Sequence, residues 1–213
     1  MTKCPDCGKD RGKLGTHWVQ SKTCKYPELS DKQHDVLTGL LMGDGFVKKT
    51  SASQYIGTQM ITREYLEYLN REVFPVLSTT VTQNNRGHYC WRTRALPELS
   101  EYKDWYSSGE KQFPQDIELS PTILKHWYVC DGSKTDTKNT SHIRIGLTNE
   151  RDNELKIRSY FDSIGVDIQN WADYESGCSA IFNAEQSVQL WEYMGEPLAG
   201  FEYKWPDKYD DSI

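Results

Sequence analysis

No apolar run in the chain approaches the roughly 20 residues that a bilayer-spanning helix needs. The opening stretch, MTKCPDCGKDRGK, lacks the apolar centre of a signal peptide. These two absences predict a protein with no membrane partner that stays inside the cell. The expected setting is the cytoplasm of a prokaryote or of a virus-infected cell rather than an organelle. Cationic charge is also short, since 25 Lys and Arg against 31 Asp and Glu leave a formal charge of −6. Taken as a total, that argues against a phosphate-rich partner. The deficit is uneven, however. Residues 150–213 are dense in acids, whereas VTQNNRGHYCWRTR at 81–94 holds Arg86, Arg92, Arg94 and His88 with no carboxylate. Local charge, not the sum, decides what a surface binds. With 213 residues the chain can bury a core without disulfide staples, as one domain or two small ones.

The six cysteines form two sets. Cys90, Cys130 and Cys178 lie singly among apolar neighbours and are expected to pack as small hydrophobes. Cys4, Cys7 and Cys24 crowd the N-terminal segment. CPDCG places two thiolates on one tight turn, and His17 and Cys24 complete the pattern Cys4-x2-Cys7-x9-His17-x6-Cys24, four ligands for structural Zn2+. Leu14, Trp18 and Val19 are the only sizeable apolar groups between them, too few to hold a small fold, so metal supplies the folding energy. His34 is an alternative to Cys24 as the fourth ligand. Four ligands leave no open coordination position, so a zinc hydrolase fits the pattern poorly. Lys3, Lys9, Arg11, Lys13, Lys22 and Lys25 make the segment basic.

Two stretches share a design. ELSDKQHDVLTGLLMGDG at 28–45 and ELSPTILKHWYVCDG at 118–132 both open on Glu-Leu-Ser and close on Asp-Gly. In the first, Ser30 and Gln33 form a capping box, and Val36, Leu37, Leu40 and Leu41 make the apolar stripe of a helix to about Gly43. Gly39 and Gly43 cost about 1 kcal/mol each in a helix. Close approach of a second helix offsets that cost. In the second stretch Ser120 is the cap and Pro121 takes the first helical position. Each helix ends in an acid, Asp44 or Asp131, where the helix dipole is already negative. Packed side by side in parallel, the helices bring two repelling carboxylates together. A hard divalent cation, Mg2+, relieves that repulsion.

The repetition continues. QYIGTQMITREYLEYL at 54–69 and SHIRIGLTNERDNELKI at 141–157 each read as an Ile-Gly strand followed by an amphipathic helix. Strand pairs at 77–83 with 88–94, turned by NNRG, and 166–171 with 178–183, turned around Gly177, follow. Helices at about 96–106 and 185–194 close the halves. The reading is a single chain with pseudo-two-fold internal duplication.

At this point the residues carry a resemblance. LTGLLMGDG (37–45) resembles the signature of the LAGLIDADG homing endonucleases, and LKHWYVCDG (124–132) is similar to the second copy in their single-chain members. WYSSGEKQFPQDIELSP (105–121) resembles the stretch leading into that copy, and YKWP (203–206) the ending of the intron-encoded subgroup. The resemblance spans about 30–206 and leaves out the zinc-like segment. His126 departs from the pattern, standing where the first copy has Gly39. The resemblance implies an α+β fold, an αββαββα unit repeated twice with saddle-shaped antiparallel sheets. It divides the chain into halves at 28–114 and 115–213, and the zinc-like segment at 1–27 stands before them as an addition. It implies a monomer that binds double-stranded DNA and cuts both strands at a long asymmetric site by metal-assisted hydrolysis, leaving 3′ overhangs. Asp44 and Asp131, with the carbonyls of Gly43 and Cys130, would hold magnesium. Lys111 and Lys204 match the family's active-site lysines, and Gln59 would position water, with Thr148 or Asn149 as its counterpart. The expected DNA contacts are Gln54, Thr58, Gln83, Arg86, Arg92 and Arg94 in the first half, and Arg144 and Gln169 in the second. Lys48, Lys49, Lys134 and Lys138 are expected on phosphates. The alternatives are a catalytically silent DNA-binding protein, an intron maturase, and a zinc-dependent protein interaction module.

Overall fold

Local chemistry sets the ends of the two motif helices. Ser30 Oγ accepts from Gln33 N at 3.3 Å and Gln33 Oε1 accepts from Ser30 N at 2.9 Å. This reciprocal cap starts the helix α2 at Asp31–Met42. Ser120 Oγ accepts from Ile123 N at 3.1 Å, and Pro121 begins the helix α4 at Pro121–Asp131. These features belong to a computed structural model that describes residues 2–49, 54–106, 111–114, 116–138, 140–147 and 150–207. Among them, no helix is long and apolar enough to cross a membrane.

The chain forms two compact units, residues 1–34 with 46–104, and residues 35–45 with 105–213. In the first, a small hairpin of β1 (Thr2–Lys3) and β2 (Asp10–Arg11) precedes a short helix, α1 (Leu14–Gln20). A four-stranded antiparallel sheet follows, built from β3 (Phe46–Lys49), β4 (Gln54–Met60), β5 (Thr82–Gln83) and β6 (Tyr89–Arg92) in the order β3-β4-β6-β5. Helix α3 (Arg63–Tyr68) covers one face. The expected NNRG turn closes on Gly87, whose φ of 83° suits glycine.

The second unit repeats this plan. Strands β7 (Gly132–Asp136), β8 (Ser141–Leu147), β9 (Asn170–Tyr174) and β10 (Gly177–Ile181) pair in the order β7-β8-β10-β9. Two helices pack behind them, α5 (Glu154–Asp162) and α6 (Ala184–Met194). The order is the same in both sheets when each strand is numbered from its own motif helix, so the duplication read from the residues is a duplication of topology. The strands β3 and β7, directly after each Asp-Gly, are absent from the residue-level reading and present in the αββαββα plan that the resemblance implies. The other strands differ from the expected spans by several residues at their ends, and the helix at 97–106 is a 3-10 helix.

In the second unit Gly39 and Gly43 face α4 directly. A Cβ at Gly39 would lie 2.4 Å from the Ile123 carbonyl oxygen and 2.8 Å from His126 Cβ. One at Gly43 would lie 2.3 Å from Cys130 Cβ. The glycines are there because the helix backbones touch. Gly39→Ala is therefore expected to destabilise the chain by about 1–3 kcal/mol through overpacking. Helix propensity alone favours Ala by about 1 kcal/mol. Urea denaturation separates the two, and a stabilised variant would refute the close packing.

Candidate active site, sheet faces and metal centre

Asp44 and Asp131 come together at the C-terminal ends of α2 and α4, both within the second unit. Asp131 Oδ2 lies 3.6 Å from the position a Cβ would take at Gly43. Burial and the Asp44 charge push the Asp131 carboxyl up to about 7, with Lys111 pulling the other way. The Asp44 carboxyl is solvent-exposed by area, yet enough protein surrounds it to raise it above its usual value against Lys111 and Lys204. Two oxygen donors that repel each other are a donor set suited to a hard divalent cation.

A lysine meets each helix end. Lys111 Nζ donates to the Gly43 carbonyl. Lys204, only 8 % exposed, donates to the carbonyls of Val129 at 2.8 Å and Gly132 at 2.6 Å. Both ammonium groups offset the negative dipole ends on which the acids stand. Burial lowers the Lys204 ammonium, and Cys130, Asp131 and Asp44 partly restore it. The Gly43 carbonyl, a candidate metal ligand, keeps a second lone pair beside its bond to Lys111. Burial and the two carboxylates raise the Cys130 thiol, so its side chain stays protonated.

The sheets sort the expected DNA contacts by face. On β4, Ile56, Thr58 and Met60 point to the core, and Tyr55, Gly57 and Gln59 to the other side. Gln54 and Thr58 therefore correct our expectation. Both are buried, and Gln54 donates to the Leu99 carbonyl. Lys134 is a second correction. It pairs with core-facing Ile143 and spends its charge on Asp136 at 3.4 Å and Asp207 at 3.9 Å. Arg94 is half-buried and donates to the Val76 carbonyl at 2.8 Å. Lys48 lies opposite Tyr55 on the open face and Lys49 opposite Gln54 on the other. Gln83 is exposed but bonds the Gly87 carbonyl at 2.9 Å. Gln59 accepts from Asn84 at 3.1 Å and borders a cavity with Asn84, Asn85 and Arg86. Arg92 and Arg144 stand on the open faces, and Lys138 and Gln169 are exposed. Thr148 and Asn149 lie outside the described residues.

Alternation along the strands also shows what composition hid. On the first open face Lys48, Tyr55, Gln59, Cys90 and Arg92 appear, and on the second Ser133, His142, Arg144, Ser179 and Tyr174. No acid stands on either open face among the described strand residues. Asp173 shares the opposite face with Cys178. Cys90 is a correction, since it borders a cavity with Gln59 and Arg92 and is not packed in a core. Cys178 is buried as expected.

In the first unit, Cys4, Cys7, His17 and Cys24 place one ligand atom each within 4.8 Å of all the others. Cys7 Sγ and His17 Nε2 are 3.6 Å apart. Tetrahedral zinc places sulfur and nitrogen ligands about 3.5–3.8 Å apart. The knuckle is held by Cys4 N to the Lys9 carbonyl at 3.0 Å and by Gly8 at φ 66°. Asp6 fixes the far end by accepting from Lys25 N at 2.9 Å. His34 is engaged elsewhere, with Glu98 at 3.3 Å and Glu101 at 2.8 Å. Of the three apolar residues, Leu14 and Trp18 are buried and Val19 is 71 % exposed.

The family model of the LAGLIDADG DNA endonuclease family matches residues 34–166. Among curated proteins, a cytochrome b mRNA maturase, bI2, of Debaryomyces hansenii is 28% identical over 148 residues, 60% of this chain and 54% of that protein. Protein RecA of Mycobacterium shimoidei is 26% identical over 198 residues, 83% of this chain and 47% of that one. The chain thus spans about half the length of these relatives. Among solved structures, the homing endonuclease I-WcaI bound to its DNA recognition sequence superposes with a TM-score of 0.69 at 16% identity, covering 93% of this chain and 95% of that one. I-DmoI in complex with DNA and calcium gives 0.51 at 14% identity, over 76% and 88%. A family match across most of the chain, on top of two Asp-ended helices and two sheets of one topology, leaves one assignment: the chain belongs to the LAGLIDADG DNA endonuclease family.

Proposed function

We propose that the protein is a monomeric, site-specific endonuclease that binds double-stranded DNA and hydrolyses both strands, leaving 3′ overhangs. The observation that carries this reading is the meeting of Asp44 and Asp131 at two lysine-capped helix ends. The open faces support it, because no acid among the described strand residues stands there to repel phosphates. Two solved neighbours, I-WcaI bound to its DNA recognition sequence and I-DmoI in complex with DNA and calcium, support it further.

Asp44 and Asp131 would hold Mg2+, with the carbonyls of Gly43 and Cys130 as further oxygen ligands. Bound there, the metal supplies phosphoryl polarisation, an activated water and stabilisation of the leaving 3′-oxygen. Lys111 and Lys204 place positive charge where the phosphorane gains negative charge. Their bonds to backbone carbonyls fix the ammonium groups before substrate arrives. Lys48 and Lys138 fit phosphate contact. Arg86, Arg92, Arg144 and Gln169 fit base contact, and Gln59 belongs with them or with water positioning. Residues 1–27 fold around Zn2+ as an addition to the duplicated halves at 28–114 and 115–213.

The maturase relative sustains a second reading, a splicing cofactor that keeps the scaffold and does not cut. The test is incubation with a randomised duplex library and magnesium, followed by sequencing of the ends. Discrete double-strand breaks at one site are expected. Selective retention of one sequence without breaks, across several divalent metals, would favour the second reading.

A further inference from the structure

In each sheet one arginine stands on the open face at the same rung, and it comes from a different strand in each. The residue after Asp44-Gly45 is Phe46, whose rung runs Phe46–Gly57–Arg92 across β3, β4 and β6. The residue after Asp131-Gly132 is Ser133, whose rung runs Ser133–Arg144–Ile181 across β7, β8 and β10. The two rungs match by their distance from the motif acid. In the first the arginine lies on β6 and the β4 position is glycine. In the second the arginine lies on β8, and Ile181 takes the place of Arg92. The guanidinium has been kept and its attachment point exchanged.

Gly57 is what the exchange requires. A Cβ there would lie 2.9 Å from the Phe46 ring and 3.3 Å from Arg92 Cβ. Each arginine is also stacked on a tyrosine of another strand. The Arg92 guanidinium lies 5.0 Å from the centre of the Tyr55 ring, and that of Arg144 5.1 Å from the centre of Tyr174. Stacking on an aromatic face holds the plane and leaves the donor edge open. Arg144 is fixed further, since its Nε donates to Ser179 Oγ at 3.0 Å. Among the described residues no hydrogen bond engages its two terminal nitrogens, a parallel donor pair of the kind that matches O6 and N7 of guanine. Arg144 and Tyr174 border the same depression as Asp131, about 190 Å³ in volume.

We propose that Arg92 and Arg144 each read one guanine in the target's major groove, with Tyr55 and Tyr174 as the positioning residues that hold them for it. The guanine read by Arg144 lies next to the phosphate served by Asp131. This inference rests on the endonuclease reading and adds a base identity to it.

The test uses the full chain, the site recovered from the library and all single-base variants of that site. Wild type should demand guanine at one position for each arginine. Arg92→Ala and Arg92→Lys should each relax the demand at one position by on the order of 10- to 100-fold and leave the others unchanged. Arg144→Ala and Arg144→Lys should do the same at a different position. The lysine variants keep the charge and the fold but not the paired donors. Tyr55→Leu and Tyr174→Leu should relax the same positions several-fold, and Tyr55→Phe and Tyr174→Phe should not. An active variant with an unchanged base profile overturns the proposal. So does uniform weakening on every sequence with a salt dependence shallower by about one ion, which marks a phosphate contact. A wild-type chain that neither binds nor cuts any duplex overturns the endonuclease reading, and this inference with it.

Discussion

Asp44→Asn and Asp131→Asn are each expected to lower cleavage by on the order of 10²–10³-fold or more while leaving retention of the same duplex within a few-fold. An amide keeps the volume of the carboxylate and loses its charge, so it holds a hard divalent cation poorly. Measuring cutting and retention on one labelled duplex separates the two effects. Equal loss of both would mean that the acids shape the protein and not the chemistry. The same substitution has an opposite effect on stability. The Asp131 carboxyl is raised to about 7 in the folded chain, by burial first and by Asp44 second. The folded state therefore holds a proton that the unfolded state releases near 4. Between those values the group costs stability as pH rises, at up to about 1.4 kcal/mol per unit. Metal-free Asp131→Asn should lose that slope and melt above the wild type at pH 8. Thermal melts of both proteins in chelator across pH 4–8 check this, and parallel curves would refute it.

The second large effect concerns zinc. Purified protein is expected to carry one zinc per chain, and Cys7→Ser or Cys4→Ser to lose it together with the order of residues 1–27. Structural zinc contributes on the order of 10 kcal/mol to such a module, and Leu14 and Trp18, its main buried apolar side chains besides the cysteines, cannot replace that. Metal analysis, X-ray absorption and limited proteolysis read the outcome. Three sulfurs and one nitrogen around the metal, with new cleavage at the basic residues between Lys9 and Lys25 in the variants, are expected. A zinc-free wild type resistant to protease there would show that the four side chains gather without metal.

What could be read from the residues divides along physical lines. The motif helices were legible because caps and Asp-Gly ends are local, and Ser30, Gln33, Ser120 and Pro121 act within one turn of themselves. The gathering of Cys4, Cys7, His17 and Cys24 was legible because such spacing is local too, and Cys24 rather than His34 stands with the other three. The glycines at 39 and 43 signalled close helix contact through their cost. Strand faces were less legible. Gln54 and Thr58 have the composition of readers, yet the register turns them inward. A shift of one residue exchanges the faces, and the residues of β4 alternate too weakly to fix it. Lys134 was misplaced for the same reason. The matched rungs of Arg92 and Arg144 could not be found by comparing the two halves in sequence, because their arginines sit on different strands. Only the pairing shows them as equivalent.

The second unit joins residues 35–45 to residues 105–213. That discontinuity has a consequence on the ribosome. Val36, Leu37, Leu40 and Leu41 leave the exit tunnel early, but α4, against which this stretch of α2 packs, ends about 90 residues later, and Lys204 emerges later still. At about 5–20 residues per second, an apolar helix face waits on the order of ten seconds for its partner. A nascent chain of this protein is accordingly expected to gain soluble yield from a holding chaperone during that interval. A slow codon tract between positions 45 and 120 would lengthen the exposure, with lower soluble yield and no change in the finished protein.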